Sequence, residues 1–198
     1  MAITINGSGT VTGISAGGLP DGVVQIADLG ATSGKNGPIL QVVNTTVTDI
    51  STVSCNSSFE DTSITCSITP TSSNSKILIN LTVTGEGNAA DQRRFTHRIK
   101  KAISGGATTY IAGATVANRV SLLGSTGDLT NDASTSASSF SVSNYMDTAG
   151  STSAITYTLQ ITYQSGTGGG TYYLNRNVAE GSGSPRFVSW ITLMEVAA

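Results

Sequence analysis

Along most of the chain, apolar side chains alternate with hydroxyl-bearing or other polar ones, the two-residue period of a strand with one buried face. The clearest run is Lys76-Ile-Leu-Ile-Asn-Leu-Thr-Val-Thr84, in which Ile77, Ile79, Leu81 and Val83 share a face. The same period predicts strands over Ile39–Val47, Val53–Ser58, Thr62–Thr69, Lys76–Gly85, Arg93–Ile103, Thr108–Val116, Phe140–Tyr145, Ala154–Tyr163, Thr171–Arg176 and Trp190–Glu195. Clusters of Ser, Gly, Asn and Asp with turn chemistry separate them. Helical spacing of three and four is almost absent. Strands without room for helical crossovers imply an all-β chain whose antiparallel sheets stack as a β-sandwich or jelly roll.

The first thirty residues differ. They are too rich in Gly to bury a core of their own, yet Ile3, Ile5, Val11, Ile14 and Leu19 recur as isolated apolar positions. Such a segment needs a partner. The expected organisation is therefore an anchoring segment over 1–30, with a short helical turn at Val24–Leu29, a flexible link over 31–37, and the sandwich over 38–198. The stretches Ser104–Ala107, Gly124–Ser139, Ser165–Gly170 and Glu180–Ser184 read as loops, either recognition loops or tolerated surface excursions.

Charge sharpens this picture. Only 11% of residues are charged, against about 25% in an ordinary soluble domain, so the surface is neutral and rich in hydroxyls, which suits an extracellular particle. Ten basic residues against twelve acidic ones make no field for phosphates, which argues against nucleic acid. No run reaches the roughly 18 apolar residues needed to enter a membrane. The opening lacks the character of a signal peptide, so synthesis in a cytosol without secretion by that route is expected.

Candidate chemistry is sparse. Asp61, Asp128, Asp132 and Asp147 are scattered without a calcium-loop pattern, no His/Cys set has zinc spacing, and no motif marks a pair of converging carboxylates. No catalytic, cofactor or metal residue is assigned. The basic run Arg93-Arg-Phe-Thr-His-Arg-Ile-Lys-Lys101 alternates, with Arg94, Arg98 and Lys100 on one face and Arg93, Phe95, His97, Ile99 and Lys101 on the other. It reads either as a solvated strand edge that discourages aggregation or as a site for phosphate or sugar acids. On the second reading Arg94, His97, Arg98 and Lys100 are candidate receptor or interface contacts. His97 itself reads either as a core residue beside Phe95 and Ile99 or as a pH-sensitive contact between subunits. Tyr157, Tyr163, Tyr172, Tyr173, Phe187 and Trp190 suit core or interface packing, and sugar stacking as the alternative.

Cys55 and Cys66 are the only cysteines. If Ser54–Ser58 pairs with Ser63–Ser67 across a turn near Glu60–Asp61, the two oppose each other within disulfide reach. The alternative is two free, partly buried thiols.

The opening Ala2-Ile-Thr-Ile-Asn-Gly-Ser-Gly-Thr-Val-Thr-Gly-Ile-Ser-Ala-Gly-Gly-Leu-Pro-Asp-Gly22 resembles the amino-terminal segment of tail-fibre-like structural proteins of aquatic tailed bacteriophages. So do Leu40-Gln-Val-Val43, Ser67-Ile-Thr-Pro-Thr-Ser-Ser-Asn-Ser-Lys-Ile-Leu-Ile79, Tyr145-Met-Asp-Thr148, Ile155-Thr-Tyr157, Tyr173-Leu-Asn-Arg176 and Ile191-Thr-Leu-Met-Glu-Val-Ala-Ala198. Ser63-Ile-Thr-Cys66 stands where these proteins usually carry Gly-Leu-Ser-Val. The resemblance implies a virion component, a homotrimer docked on other virion proteins through its amino-terminal segment, with no shared catalytic residues and no cofactor. The expected function is a tail fibre that attaches to host surface polysaccharide or an outer-membrane protein. Capsid decoration or head-fibre protein is the alternative within the particle, and polysaccharide depolymerase the alternative from another class.

Overall fold

Most of the strands form where apolar and polar positions alternate. In the computed structural model the described residues are 38–56, 58–88, 94–113, 123–127, 137–164 and 169–198, with backbone alone at 94 and 164. The expected anchor, helical turn and linker over 1–37 lie outside them, as does most of the Gly124–Ser139 stretch. Pro38–Ala198 forms one unit by itself.

Its strands are β1 (Ile39–Val47), β2 (Ser51–Cys55), β3 (Glu60–Ile68), β4 (Lys76–Asn88), β5 (Arg94–Ile103), β6 (Thr108–Ile111), β7 (Gly124–Gly127), β8 (Ser138–Thr148), β9 (Ile155–Gln164), β10 (Gly170–Leu174) and β11 (Ser189–Val196). All named pairings are antiparallel.

Three pairs of these strands are continuations of one another. β11 pairs with Lys76–Thr82 of β4, and β10 pairs with Gly85–Asn88 of the same strand, so the two lie end to end. β1 and β2 run end to end along their other edge. β6 and β7 likewise share one edge of β5. The eleven strands therefore make eight lanes in two four-lane sheets. In chain order, lanes one, eight, three and six form sheet A (β1/β2, β11/β10, β4, β8), and lanes two, seven, four and five form sheet B (β3, β9, β5, β6/β7). This connectivity is a jelly roll. β7 corrects the reading of Gly124–Ser139 as one loop: Gly-Ser-Thr-Gly has no apolar alternation, but it pairs with the open edge of β5.

The core is the space between the sheets. Ile77, Ile79, Leu81 and Val83 of β4, with Ile191 and Leu193 of β11, face Ile64 and Ile68 of β3 and Ile155, Leu159 and Ile161 of β9, all fully or almost fully buried. Each is worth about 2 kcal/mol of apolar burial. Beyond Val83 the inward alternation of β4 continues as Gly85 and Gly87. A Cβ on Gly87 would lie 1.8 Å from the Phe95 ring, so the missing side chain admits an aromatic cluster. Phe95 packs on Tyr163 and Tyr172 with centroids at 5.8 and 5.5 Å.

Polar ties join the layers. Lys101 of β5 bonds Asp147 of β8 at 2.8 Å, and the Tyr157 hydroxyl donates to the same carboxylate at 2.8 Å. Glu195, wholly buried in β11, accepts from the Thr71 amide at 2.7 Å, its hydroxyl at 2.6 Å and the Gln41 amide at 2.5 Å. Burial alone would raise the Glu195 carboxyl, but these donors outweigh it and hold it down at about 2.

The breaks in sheet A converge on Asn175. Its side-chain amide donates to the Val47 carbonyl at 2.7 Å and the Asp49 carbonyl at 3.0 Å, where β1 gives way to β2. Its Oδ1 accepts from Ser189 Oγ at 2.6 Å, and Ser189 Oγ accepts from the Thr84 amide at 3.0 Å. The Asn175 amide donates to Thr84 O at 2.9 Å. The residue is fully buried with φ at 60°, a left-handed conformation that Asn tolerates better than most side chains. Replacing Asn175 with Ala is expected to lower unfolding free energy by about 3 kcal/mol, because buried carbonyls lose their donor. Asn175→Gly, which removes the left-handed strain, should recover about 1 kcal/mol of that. Urea titration of the two variants checks both.

Candidate functional site

The most developed polar surface lies on the outward face of sheet B, and register builds it. Asp61 of β3 sits opposite Gln160 of β9, and Gln160 opposite Arg98 of β5, so the three form one row across three lanes. Lys100, two residues on and therefore on the same face, sits opposite Tyr110 of β6. Phe59, in the connection entering β3, completes the group.

The contacts form a closed chain. The Arg98 guanidinium lies between two rings, 3.9 Å from the centroid of Phe59 and 3.7 Å from that of Tyr110. Its Nε donates to Gln160 Oε1 at 2.7 Å. Gln160 Nε2 donates in turn to Asp61 Oδ1 at 2.7 Å, and Lys100 pairs with Asp61 Oδ2. Partial burial works to raise the Asp61 carboxyl, but the bonds from Lys100 and Gln160, with the charges of Lys100 and Arg98, outweigh it and hold it below its usual value. It is therefore an ionised acceptor at neutral pH.

Much of this surface stays open to solvent. Tyr110 is 51% exposed, with one ring face covered by Arg98, and the Asp61 side chain is 48% exposed. A flat aromatic face held rigid by a stacked guanidinium, next to an ammonium donor and on the same sheet face as a carboxylate acceptor, can receive the apolar face of a ring, with polar groups nearby for its hydroxyls. The two cationic groups are already engaged by Gln160 and Asp61. This favours a neutral, hydroxyl-bearing ligand over an acid.

The other predicted contacts fall elsewhere. The side chain of Arg94 lies outside the described residues. His97 is removed from the contact set, because it is buried completely between the sheets. It stacks on Phe140 at 4.6 Å and 11°, meets the edge of Tyr172, and bonds Thr126 Oγ1 through Nε2 at 2.9 Å. Its Nδ1 has no partner among the described residues. Burial pushes the imidazole down to about 3. Tyr157, Tyr163 and Tyr172 are core residues, whereas Trp190 is 40% exposed on sheet A.

The hairpin that would oppose the cysteines does not form. β2 pairs with β10 and β3 with β9, so Cys55 lies opposite Gly170 and Cys66 opposite Tyr157 in different sheets. Both are buried free thiols. Burial raises the Cys55 thiol to about 12. Among the described residues no group of His, Cys, Asp and Glu is placed to hold a metal.

Phe59, Tyr110 and Gln160 were not legible as site residues, because they come from different strands and meet only through register. The signal that could have found them is the outward phase of Arg98 itself. No protein-family model and no curated protein matches the chain.

Two outcomes are expected. As pH falls below 6.5 the unfolded chain protonates its histidine first, while His97 in the fold stays neutral down to about 3. The native state should therefore lose about 3 kcal/mol by about pH 4. His97→Phe, less stable at neutral pH, should show an almost flat profile between pH 6.5 and 5 in denaturant titrations. Separately, a thiol-reactive dye at pH 8 should label neither cysteine until the chain is unfolded, as Cys55 is protonated and both are buried.

Proposed function

We propose that this chain is a virion structural protein of a tailed bacteriophage, a homotrimeric tail fibre that attaches to the host surface without cutting it. The observation that carries the reading is the half-exposed Tyr110 face, braced by Arg98 and next to Lys100 by register, with Asp61 on the same face of the sheet. The motif resemblance at both ends and through the middle of the chain supports the particle context. The neutral, hydroxyl-rich composition supports an extracellular surface. The jelly roll is a scaffold met in both viral shells and lectins, and it supports the reading only as a frame for the site.

The mechanism is multivalent adhesion. Each Tyr110 platform takes one sugar ring of a host polysaccharide weakly, and three copies on one fibre raise the overall strength through effective concentration. Asp61 and Lys100 bond ring hydroxyls and set orientation. No step breaks a bond.

Full-length protein applied to an array of bacterial surface glycans should bind neutral polysaccharides, and Tyr110→Ala should weaken that binding at least tenfold with little change in melting temperature. Absence of binding to any glycan, or equal binding by the variant, overturns this site. Immunogold labelling of intact particles checks the location: label at the tail supports the fibre, label over the head makes the chain a decoration protein, and unlabelled particles refute the virion reading. Fragmentation of the bound glycan would make it a depolymerase.

A further inference from the structure

The outward face of sheet A presents a different chemistry from the Tyr110 surface. By register Val42 lies beside Met194, Met194 beside Leu78, and Leu78 beside Met146. Each of the four lanes thus contributes one apolar side chain to a row across the whole sheet, roughly 14 Å long at ~4.8 Å per lane. Val42 and Met146 at its ends are 54% and 48% exposed. Four residues along β11 on the same face stands Trp190, the chain's single tryptophan, between Thr46 and Thr82.

The positions from this row to Thr84 are uncharged on the same face, and their polar groups are largely satisfied within it. Asn44 donates to Thr192 Oγ1 at 2.7 Å, Thr82 bonds Ser141 at 3.0 Å, and Thr84 bonds Ser139 at 2.8 Å. Lys76 stands at the far end of β4 and donates to Thr148 Oγ1 at 2.7 Å. Covering this face therefore costs little polar desolvation.

We propose that this face is where copies of the chain meet, with the sheet A surfaces of three protomers turned toward one another around the fibre axis. The count of three rests on the fibre reading above; the choice of face does not. Contact around a symmetry axis brings a residue near its own copies, so an ionised group there would face its like. The centre of this face carries none, whereas sheet B carries Arg98, Lys100 and Asp61. Methionine adapts to imperfect packing, and two of the chain's three stand in the row. Exposed Trp and Met beside a depletion of charge is the composition of an interface core. Four lanes of about eight residues give roughly 500 Å² in plan, of the order of the ~800 Å² each partner contributes to a stable interface. The arrangement also leaves the Tyr110 surface pointing outward.

The test uses the full-length chain and the double variant V42E/M146E, whose substitutions fall at exposed positions. Light scattering should give three times the chain mass for the wild type and a single-chain mass for the variant, with unchanged far-ultraviolet circular dichroism and at least a hundredfold weaker association. A variant that assembles as well as the wild type overturns the proposal while leaving the trimeric fibre standing. A wild type that stays monomeric at all concentrations overturns both. Should the variant fail to fold, iodide quenching of Trp190 in the unaltered protein decides. Quenching that is suppressed at high concentration and restored on dilution supports the proposal, and quenching indifferent to concentration overturns it. Glycan binding by the monomeric variant, weaker only by lost multivalency, keeps the attachment site separate from this result.

Discussion

The jelly roll depends on one buried amide. Three of its eight lanes are interrupted, two of them side by side in sheet A, and an interrupted lane leaves backbone carbonyls with no opposite strand to satisfy them. Asn175 meets that demand at both sheet A breaks, reaching Val47 and Asp49 on one lane while bonding Ser189 and Thr84 on its own and the next. Without it β1, β2, β10 and β11 would be four short strands with ragged ends. With it they behave as two long ones, and sheet A extends far enough to cover sheet B. The break also frees the Asn175–Val188 segment to leave the sheet, where Val178 N bonds the buried Glu86 carboxylate at 2.7 Å and Arg176 pairs with Glu180 at 3.0 Å.

The aromatic cluster follows from the same extension. Where β4 passes Val83 toward β10 its inward positions become glycine, and the volume thus released is filled from sheet B by Phe95 and His97 and from the sheet A side by Tyr172 and Phe140. His97 is consequently a packing residue whose neutral form is enforced by its surroundings. The polar work of β5 is left to Arg98 and Lys100, one step out of phase and on the opposite face.

Period two explains what could be read in advance. Ile39–Val47 was legible to the residue, and the inward set of β4 and the outward phase of Arg98 and Lys100 follow from alternation alone. Three things did not. β7 carries no apolar signal and exists because β5 has an edge to pair. The continuity of β10 with β11 depends on hydrogen bonds from Asn175 across the sheet. The supposed Cys55–Cys66 hairpin failed because β2 and β3 belong to different sheets, a choice made by packing rather than by local turn residues. That change of sheet delivers Phe59 onto Arg98, so the misread turn and the unread half of the site have a single cause.

The pairing of the first lane with the last has a consequence in time. Asn44 donates to the carbonyl of Ile191, 147 positions further along the chain, and apart from the β5–β6 hairpin the lanes find their partners through distant parts of the chain. Closing such loops is slow, since their entropy is lost before the contacts that reward it form. During synthesis β1 must wait, its edge open, until β11 emerges. A strand left waiting in that way is safest when the chain around it is rich in hydroxyls and poor in β-prone apolar runs, as the Ser, Thr and Gly stretches between these strands are.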